Sequence, residues 1–503
     1  MPDRQPDASP RPETATDPDR GTAPAPGGDD SAEQPLVLVL HGARGDLSRR
    51  MVLPAVATLA ARGLLPDRWA LVGTGRRPLD AGEFEQVVRD ALDEFGDDEG
   101  RGALDDVLSH TAYCRDVSMD DDDPGELPDE LARLRRELTG DGGDDGDGGD
   151  VTVVHYLAVP PESFVPLTRA LARHDLTDGV RVVYEKPYGT SRDDFHELDA
   201  VVHEALDEEQ VFRIDHFLGK EATQNLHVLR FANELFGGVW GREHVAQVQI
   251  DVPETLDVAD RAEFYDATGA ALDMLVTHLF QVAAQVAMEP PAGMSAAELV
   301  TAREAVVSAF RPLDPHEDVV LGQFEGYRDL EGVADDSDVD TFVAARLWVD
   351  TDRWHGVPFL LRTGKRLAAS AQQVTLVLRS PGRLFGEKTG PNRVEISLSG
   401  AGEVRVVTTV KRPGPALDLT TGTARLSLDH VPGDALPPYA SLLHDVLVGD
   451  RTLFTTPEGL DAAWRAFAPL QDDPPPVVPY EPGTWGPADA RRLAGPTGWV
   501  LGE

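Results

Sequence analysis

"PLVLVLHG", Pro35 to Gly42, is a continuous apolar run that ends on glycine. A strand covered by helices on both faces of a parallel sheet reads this way. The run continues into "GARGDL", Gly42 to Leu47, and then into "LSRRMVLPAVATLAARG", whose apolar residues recur at helical spacing up to Gly63. Strand, glycine-rich turn and helix, in that order, let backbone N–H groups at a helix N-terminus meet a pyrophosphate. The turn carries Gly-x-x-Gly, short of the full Gly-x-Gly-x-x-Gly pattern, and taken alone it is also what an ordinary tight turn requires.

Working outward, "RWALVGTG" from Arg68, "VTVVHYLAVPP" from Val151 and "RVVYEKP" from Arg181 read as further strands. "EFEQVVRDALDEF" from Glu83 is an amphipathic helix between two of them. Residues 35–213 are therefore expected to form an α/β Rossmann-type coenzyme domain around a doubly wound parallel sheet. Beyond about residue 213 the pattern changes. Helices near 220–235 and 269–288 flank the strand candidate "HVAQVQIDV". The stretches "DTFVAARLWVD", "QQVTLVLRS", "NRVEISLSG" and "EVRVVTTVKR" follow, and two helices, "PYASLLHDVLVG" and "PEGLDAAWRAFAPL", come last. Residues 214–503 are expected to form an α+β domain with a large, mostly antiparallel sheet.

The chain has 503 residues and 41% hydrophobic content, enough for more than one core. Its formal net charge of -42 disfavours nucleic acid and anionic membranes as partners. No uninterrupted run of 18 apolar residues occurs, so no membrane span is expected. Residues 1–34 are rich in Pro and Asp, lack an apolar leader segment and are expected to be a disordered acidic tail. "DDDDPGELPDE" from Asp120 and "GDGGDDGDGG" from Gly140 read as solvated insertions. The single cysteine, Cys114, excludes an intrachain disulfide framework, suits a reducing, cytoplasmic compartment and reads as an inert packing residue. The acid excess fits either a surface adapted to high salt or acidic linkers in a high-GC organism.

Only five lysines occur: Lys186, Lys220, Lys365, Lys388 and Lys411. Arginine supplies nearly all the positive charge. A lysine retained in such a chain marks a place where a compact ammonium serves better than a planar guanidinium. Lys186 stands in "YEKPYG", at the carboxyl edge of the first sheet, where open α/β folds bind ligands. Lys220 closes "RIDHFLGK", close to Asp215 and His216. If a helix starts there, His216 and Lys220 share a face and offer two cationic donors to a phosphate. "YDATGAALDMLVTHLFQ" puts Asp273 and His278 five residues apart in an apolar helix, and a buried polar pair there needs a reason. "GTGRR" ends the second strand with Arg76 and Arg77, where an NAD site carries an acid. Two guanidinium groups suit a 2'-phosphate, which favours NADP.

"GARGDLSRR", "EKPYG", "RIDHFLGKEATQNLHVLRFAN", "VPFLLRTGKRL" and "PYEPGTWGP" resemble the signature segments of the glucose-6-phosphate dehydrogenase family, in its order and spacing, from about residue 36 to about 487. The resemblance implies oxidation of glucose 6-phosphate at C1 to 6-phosphogluconolactone, the first oxidative step of the pentose phosphate pathway. It assigns His278 as the base that takes the C1 hydroxyl proton and Asp215 as its partner. His216 and Lys220 are assigned to the substrate phosphate, and Glu254, Asp273 and Lys365 to the sugar. Lys186 is assigned to both sugar and cofactor. The implied contacts to NADP are Gly42, Arg44, Gly45, Asp46, Leu47, Arg76, Arg77, Pro160 and Lys186, with no metal. A homo-oligomer, dimer or tetramer, is implied through the large domain's sheet. The sequence departs from the family at five places: Phe217 stands where a tyrosine is usual, Met51 and Ser370 where basic residues are usual, Ser399 near a usual glutamine, and Arg44 at a small polar position. These changes keep two alternatives in view, a divergent paralogue acting on another sugar or sugar phosphate, and a non-catalytic assembly protein on the same scaffold.

Overall fold

Val37 and Val39 pack into one hydrophobic core, while Leu36, Leu38 and Leu40 pack into another. Successive side chains of a strand point to opposite faces, so an uninterrupted apolar run is what a sheet with a core on each side demands. The computed structural model describes residues 34–77, 79, 81–139, 151–258, 261–380, 390–428 and 431–502. Nearly all of the expected acidic tail and all of the insertion from Gly140 lie outside the described residues.

Among these residues, β1 (Leu36–His41), β2 (Trp69–Gly75), β3 (Thr111–Arg115), β4 (Thr152–Leu157), β5 (Arg181–Tyr184) and β6 (Val211–Arg213) form one parallel sheet. Its order is β3-β2-β1-β4-β5-β6. Strand order reverses direction between β1 and β4, which opens a crevice at the carboxyl ends of those strands. Helix Leu53–Ala61 follows β1 after a short π-type turn, Ser48–Val52.

A second sheet contains β7 (Val245–Pro253), β8 (Val319–Phe324), β9 (Phe342–Trp348), β10 (Pro358–Gly364), β11 (Gln373–Leu378), β12 (Arg393–Ser397), β13 (Glu403–Lys411), β14 (Leu419–Ser427) and β15 (Val478–Tyr480). Its order is β14-β13-β12-β11-β7-β10-β9-β8-β15. Most neighbours are antiparallel, as expected, but β7–β10 and β8–β15 run parallel. Each of these two pairs is joined by a long excursion through other elements, so no hairpin fixes its direction.

The helical run Ala262–Ala287 is long and apolar enough to cross a membrane by composition, yet it is mostly buried inside the protein as a core helix. It bends at Gly269, whose φ is +69° and where a Cβ would lie 2.6 Å from Asp340 Oδ1. Only glycine suits that conformation and that space. Helix Pro438–Val448 returns to the first sheet: Leu442, Leu443 and Val446 join the core of Leu53 and Val56. Arg181 of β5 donates to the carbonyl of Val446 at 2.8 Å. This late helix thus helps bury one face of the first sheet, each enclosed leucine adding roughly 1.5–3 kcal/mol.

The stretch from Asp120 is not wholly a solvated insertion. Asp123 binds Arg115 at 2.5 Å, and Leu127 starts a helix, Leu127–Thr139, that packs Leu127, Leu131 and Leu134 into the core. Its apolar spacing was hidden behind the acidic run. Cys114 is buried, and burial foremost pushes its thiol up to about 12, so it is inert at neutral pH.

Candidate active site

A cavity of about 920 Å³ opens at the carboxyl ends of β1, β2 and β4. Gly42, Arg44, Gly45, Arg76, Arg77 and Pro160 line it, as the sequence suggested for a dinucleotide. Gly42 has φ +73°, and a Cβ there would sit 2.5 Å from the carbonyl of Ala158. The glycine lets β1 and the segment after β4 close on one another and leaves the cradle to a ligand. Three expected cofactor residues are not among the lining residues. Asp46 is exposed and paired with Arg50 at 2.6 Å, one helical turn on. Leu47 caps the π-type turn, and Lys186 faces the neighbouring cleft.

The wall of this cavity holds a network that sequence reasoning missed. Thr74 Oγ1 donates to Asp116 Oδ2 at 2.7 Å, and His41 Nδ1 lies 2.8 Å from the same oxygen. A carboxylate only accepts, so His41 Nδ1 carries the proton. His41 Nε2 lies 3.0 Å from His155 Nδ1, and both rings are fully buried. Burial opposes charge on Asp116, but His41 and two further hydrogen bonds hold its carboxyl below the usual range. Burial, then His41, lowers His155 to about 3. His41 ends β1, where an apolar residue would continue the run. That break in pattern was the available signal.

Beside the crevice, Asp215 lies just after β6, and His278 stands in the last turn of a π-type stretch, Ala271–Leu279. His278 Nδ1 lies 2.6 Å from Asp215 Oδ1, which also accepts from the backbone N–H of Phe217 at 2.9 Å. Both side chains are buried, and His278 Nε2 and Asp215 Oδ2 have no partner among the described residues. A buried imidazole with a bare nitrogen, oriented by a carboxylate, has the chemistry that a general base requires. The π geometry explains the spacing of five. In an α-helix Asp273 and His278 would point about 140° apart. Hydrogen bonds spanning five residues turn them toward one face.

Asp273 binds Lys186 at 2.5 Å. Burial works against its charge, but Lys186, His278 and Lys365 hold its carboxyl below the usual range. Lys365, just past β10, binds Glu254, just past β7, at 2.7 Å. The parallel pairing of β7 with β10 brings these two strand ends side by side. Tyr265, also missed from the sequence, has a buried hydroxyl without a partner among the described residues and a ring 5.6 Å from the Lys365 ammonium.

His216 and Lys220 do not share a helix face. The helix starts at Glu221, Lys220 caps it, and His216 lies in the preceding turn. Nor are both cationic. Burial, then His278, Lys186 and Lys220, hold His216 well below its usual range, so it is a neutral hydrogen-bonding ring at pH 7. Its ring meets that of His278 edge-on at 4.4 Å. Burial lowers Lys220 to about 8. Asp215, His216 and His278 also lie close enough to resemble a metal-ligand group. The Asp215–His278 hydrogen bond already uses one donor atom of each, which suits proton transfer better than coordination.

The positions that differ from the family separate spatially. Phe217 is buried between the His278 ring, stacked at 4.7 Å, and the Lys220 ammonium, 3.7 Å from its centroid. Ser370 accepts from the Thr255 N–H at 2.9 Å and braces the loop of Glu254. Met51 is exposed. Ser399 is exposed beyond the end of β12.

Compared with known proteins, residues 39–225 match the family model for the glucose-6-phosphate dehydrogenase NAD binding domain, and residues 227–500 match its C-terminal domain. The chain is similar to glucose-6-phosphate 1-dehydrogenase 2 of Mycobacterium bovis, 36% identical over 490 residues, covering 92% of this chain and 94% of that one. It is 33% identical over 483 residues to glucose-6-phosphate 1-dehydrogenase of Gluconobacter oxydans, with 92% and 96% covered. Among solved structures, the Mycobacterium avium glucose-6-phosphate 1-dehydrogenase has a TM-score of 0.81 at 33% identity, covering 92% of this chain and 98% of that one. A glucose-6-phosphate dehydrogenase in complex with glucose-6-phosphate has a TM-score of 0.85 at 27% identity, with 94% and 99% covered.

Proposed function

Since the chain belongs to the glucose-6-phosphate dehydrogenase family, we propose that it oxidises glucose 6-phosphate at C1 with NADP as acceptor, through the Asp215–His278 pair. The observation that carries the mechanism is the buried 2.6 Å contact between these residues together with the bare Nε2 of His278. Nε2 takes the C1 hydroxyl proton, and Asp215 stabilises the imidazolium that results. Lys186 with Asp273, and Lys365 with Glu254, supply ammonium donors and carboxylate acceptors for the sugar hydroxyls. Lys220 and the neutral His216 receive the 6-phosphate. NADP, when bound against Gly42, Gly45, Arg76 and Arg77, supplies the hydride acceptor. The choice of NADP over NAD rests on the two arginines in that cavity, where no acid stands in their place.

The same reading has the protein act in the cytoplasm, with its lone cysteine reduced. It also has the protein act as a homodimer or homotetramer through the second sheet, near whose outer strands Val410, Leu417 and Leu426 are exposed.

The test is reduction of NADP, and separately NAD, by the purified protein with glucose 6-phosphate or free glucose, at low and molar salt. Turnover that is fastest with glucose 6-phosphate and NADP is expected. Preference for free glucose, or for NAD, would overturn the corresponding part of the reading.

A further inference from the structure

The three lysines of the cleft are held differently. Lys186 and Lys365 each face a carboxylate, Asp273 and Glu254, so each pair is close to neutral. Lys220 instead donates to Gln372 Oε1, and its ammonium also lies over the Phe217 ring. Gln372 sits immediately before β11, and its backbone carbonyl accepts from the Leu398 N–H at 2.7 Å, which fixes it beside the end of β12. An ammonium has only protons to give, so the amide oxygen must face it and the amide NH2 must face away. Among the described residues that NH2 has no hydrogen-bond partner.

This arrangement has an electrostatic consequence. A carboxylate would orient Lys220 but cancel its charge. A neutral amide orients it and leaves the charge available for an anion. The remaining side chains supply few other donors: Phe217 has no hydroxyl, and Ser370 is engaged with Thr255.

We propose that Gln372 is a specificity residue of the phosphate pocket, its Oε1 positioning the Lys220 ammonium and its Nε2 donating to the phosphate of the substrate. The proposal rests on the reading of Lys220 as the phosphate anchor. It gives Gln372 a role that neither Phe217 nor Ser370 can fill.

The experiment measures KM and kcat with glucose 6-phosphate and with free glucose for Gln372→Ala, Gln372→Glu and Lys220→Ala. Gln372→Met, which keeps the length of the side chain, carries the same test if alanine loosens the loop. Loss of one charge-assisted bond is expected to raise KM for glucose 6-phosphate about ten-fold in Gln372→Ala, with kcat within about three-fold. Gln372→Glu should raise it more, since it adds a repelling charge. In both, the preference for glucose 6-phosphate over glucose should fall. If Lys220→Ala abolishes that preference while all Gln372 variants keep the wild-type KM, the role of Gln372 is overturned and the Lys220 reading stands. If Lys220→Ala keeps the preference, the phosphate reading fails and this proposal fails with it.

Discussion

Asp215 Oδ1 stands 2.6 Å from His278 Nδ1, across 63 residues of sequence, with both side chains sealed from solvent. Each partner keeps one buried atom without a hydrogen bond among the described residues, Oδ2 on the acid and Nε2 on the imidazole. An unsatisfied buried polar atom costs roughly 1–3 kcal/mol. What sets this pair apart from other buried pairs is that the bare atom on His278 is a basic nitrogen, held in place by the carboxylate on the other side of its ring.

Replacing Asp215 by Asn tests the carboxylate's part in this. Asparagine keeps the shape and an oxygen for His278 but carries no charge to stabilise the imidazolium. We expect kcat to fall by about 10²–10⁴ with little change in KM, a range typical of impaired general-base catalysis. Steady-state kinetics with glucose 6-phosphate and NADP read this directly. A loss below ten-fold would assign the acid a packing role only.

The proposed reading assigns cofactor choice to Arg76 and Arg77. Both are exposed on the rim of the cavity after β2, free to meet a 2'-phosphate. Replacing both with Ala should lower kcat/KM for NADP about 100-fold, the value of one or two charged hydrogen bonds, and that for NAD less than about three-fold. Equal losses for the two cofactors would remove this assignment.

The proposed phosphate role of Lys220 predicts a pH limit to substrate affinity. Burial lowers its ammonium from 10.5 to about 8, so the free protein loses this charge as pH rises through that value. A phosphate dianion binds the protonated form. KM for glucose 6-phosphate should therefore rise above about pH 8, approaching ten-fold per unit, while KM for free glucose should not follow. Stability has the opposite sign: the unfolded chain binds the extra proton between about 8 and 10.5, so the penalty of burying this lysine is relieved across that window. A flat KM profile from pH 7 to 9 would show that Lys220 does not meet the phosphate.

Away from the cleft, Arg362 of β10 is buried against Asp251 of β7 at 2.6 Å. It donates to the carbonyl of Leu501 at 2.7 Å and stacks near Trp485 and Trp499, tying the end of the chain to the second sheet. Arg362→Leu leaves a buried carboxylate uncompensated and should cost about 3–5 kcal/mol in urea unfolding. Adding Asp251→Leu to the same chain should recover most of that loss, which a general packing defect would not show.

Much of the fold is legible in the sequence. The unbroken apolar run of β1 required a sheet covered on both faces, and Arg76 and Arg77, singled out at the end of the second strand, line the cavity there. What stayed hidden depended on contacts between distant residues. Gln372 meets Lys220 across 152 positions, and His41 meets Asp116 across 75, so neither pair has a local pattern. The expectation that His216 and Lys220 form a cationic pair on one helix face failed for a related reason: burial decides the charge of an imidazole, and the helix begins after both. The return of Pro438–Val448 to the first sheet was likewise invisible, because amphipathic spacing shows that a helix buries a face and not which core receives it.

The most direct test of the central claim is reduction of NADP by His278→Asn with saturating glucose 6-phosphate, beside the unaltered protein. Asparagine keeps a polar side chain in the buried site but has no basic nitrogen. The mechanism requires kcat to fall by at least about 10² while the variant stays folded and still binds the substrate. Turnover within about three-fold of the unaltered protein would contradict the assignment of His278 as the base, and with it the mechanism built on its contact with Asp215.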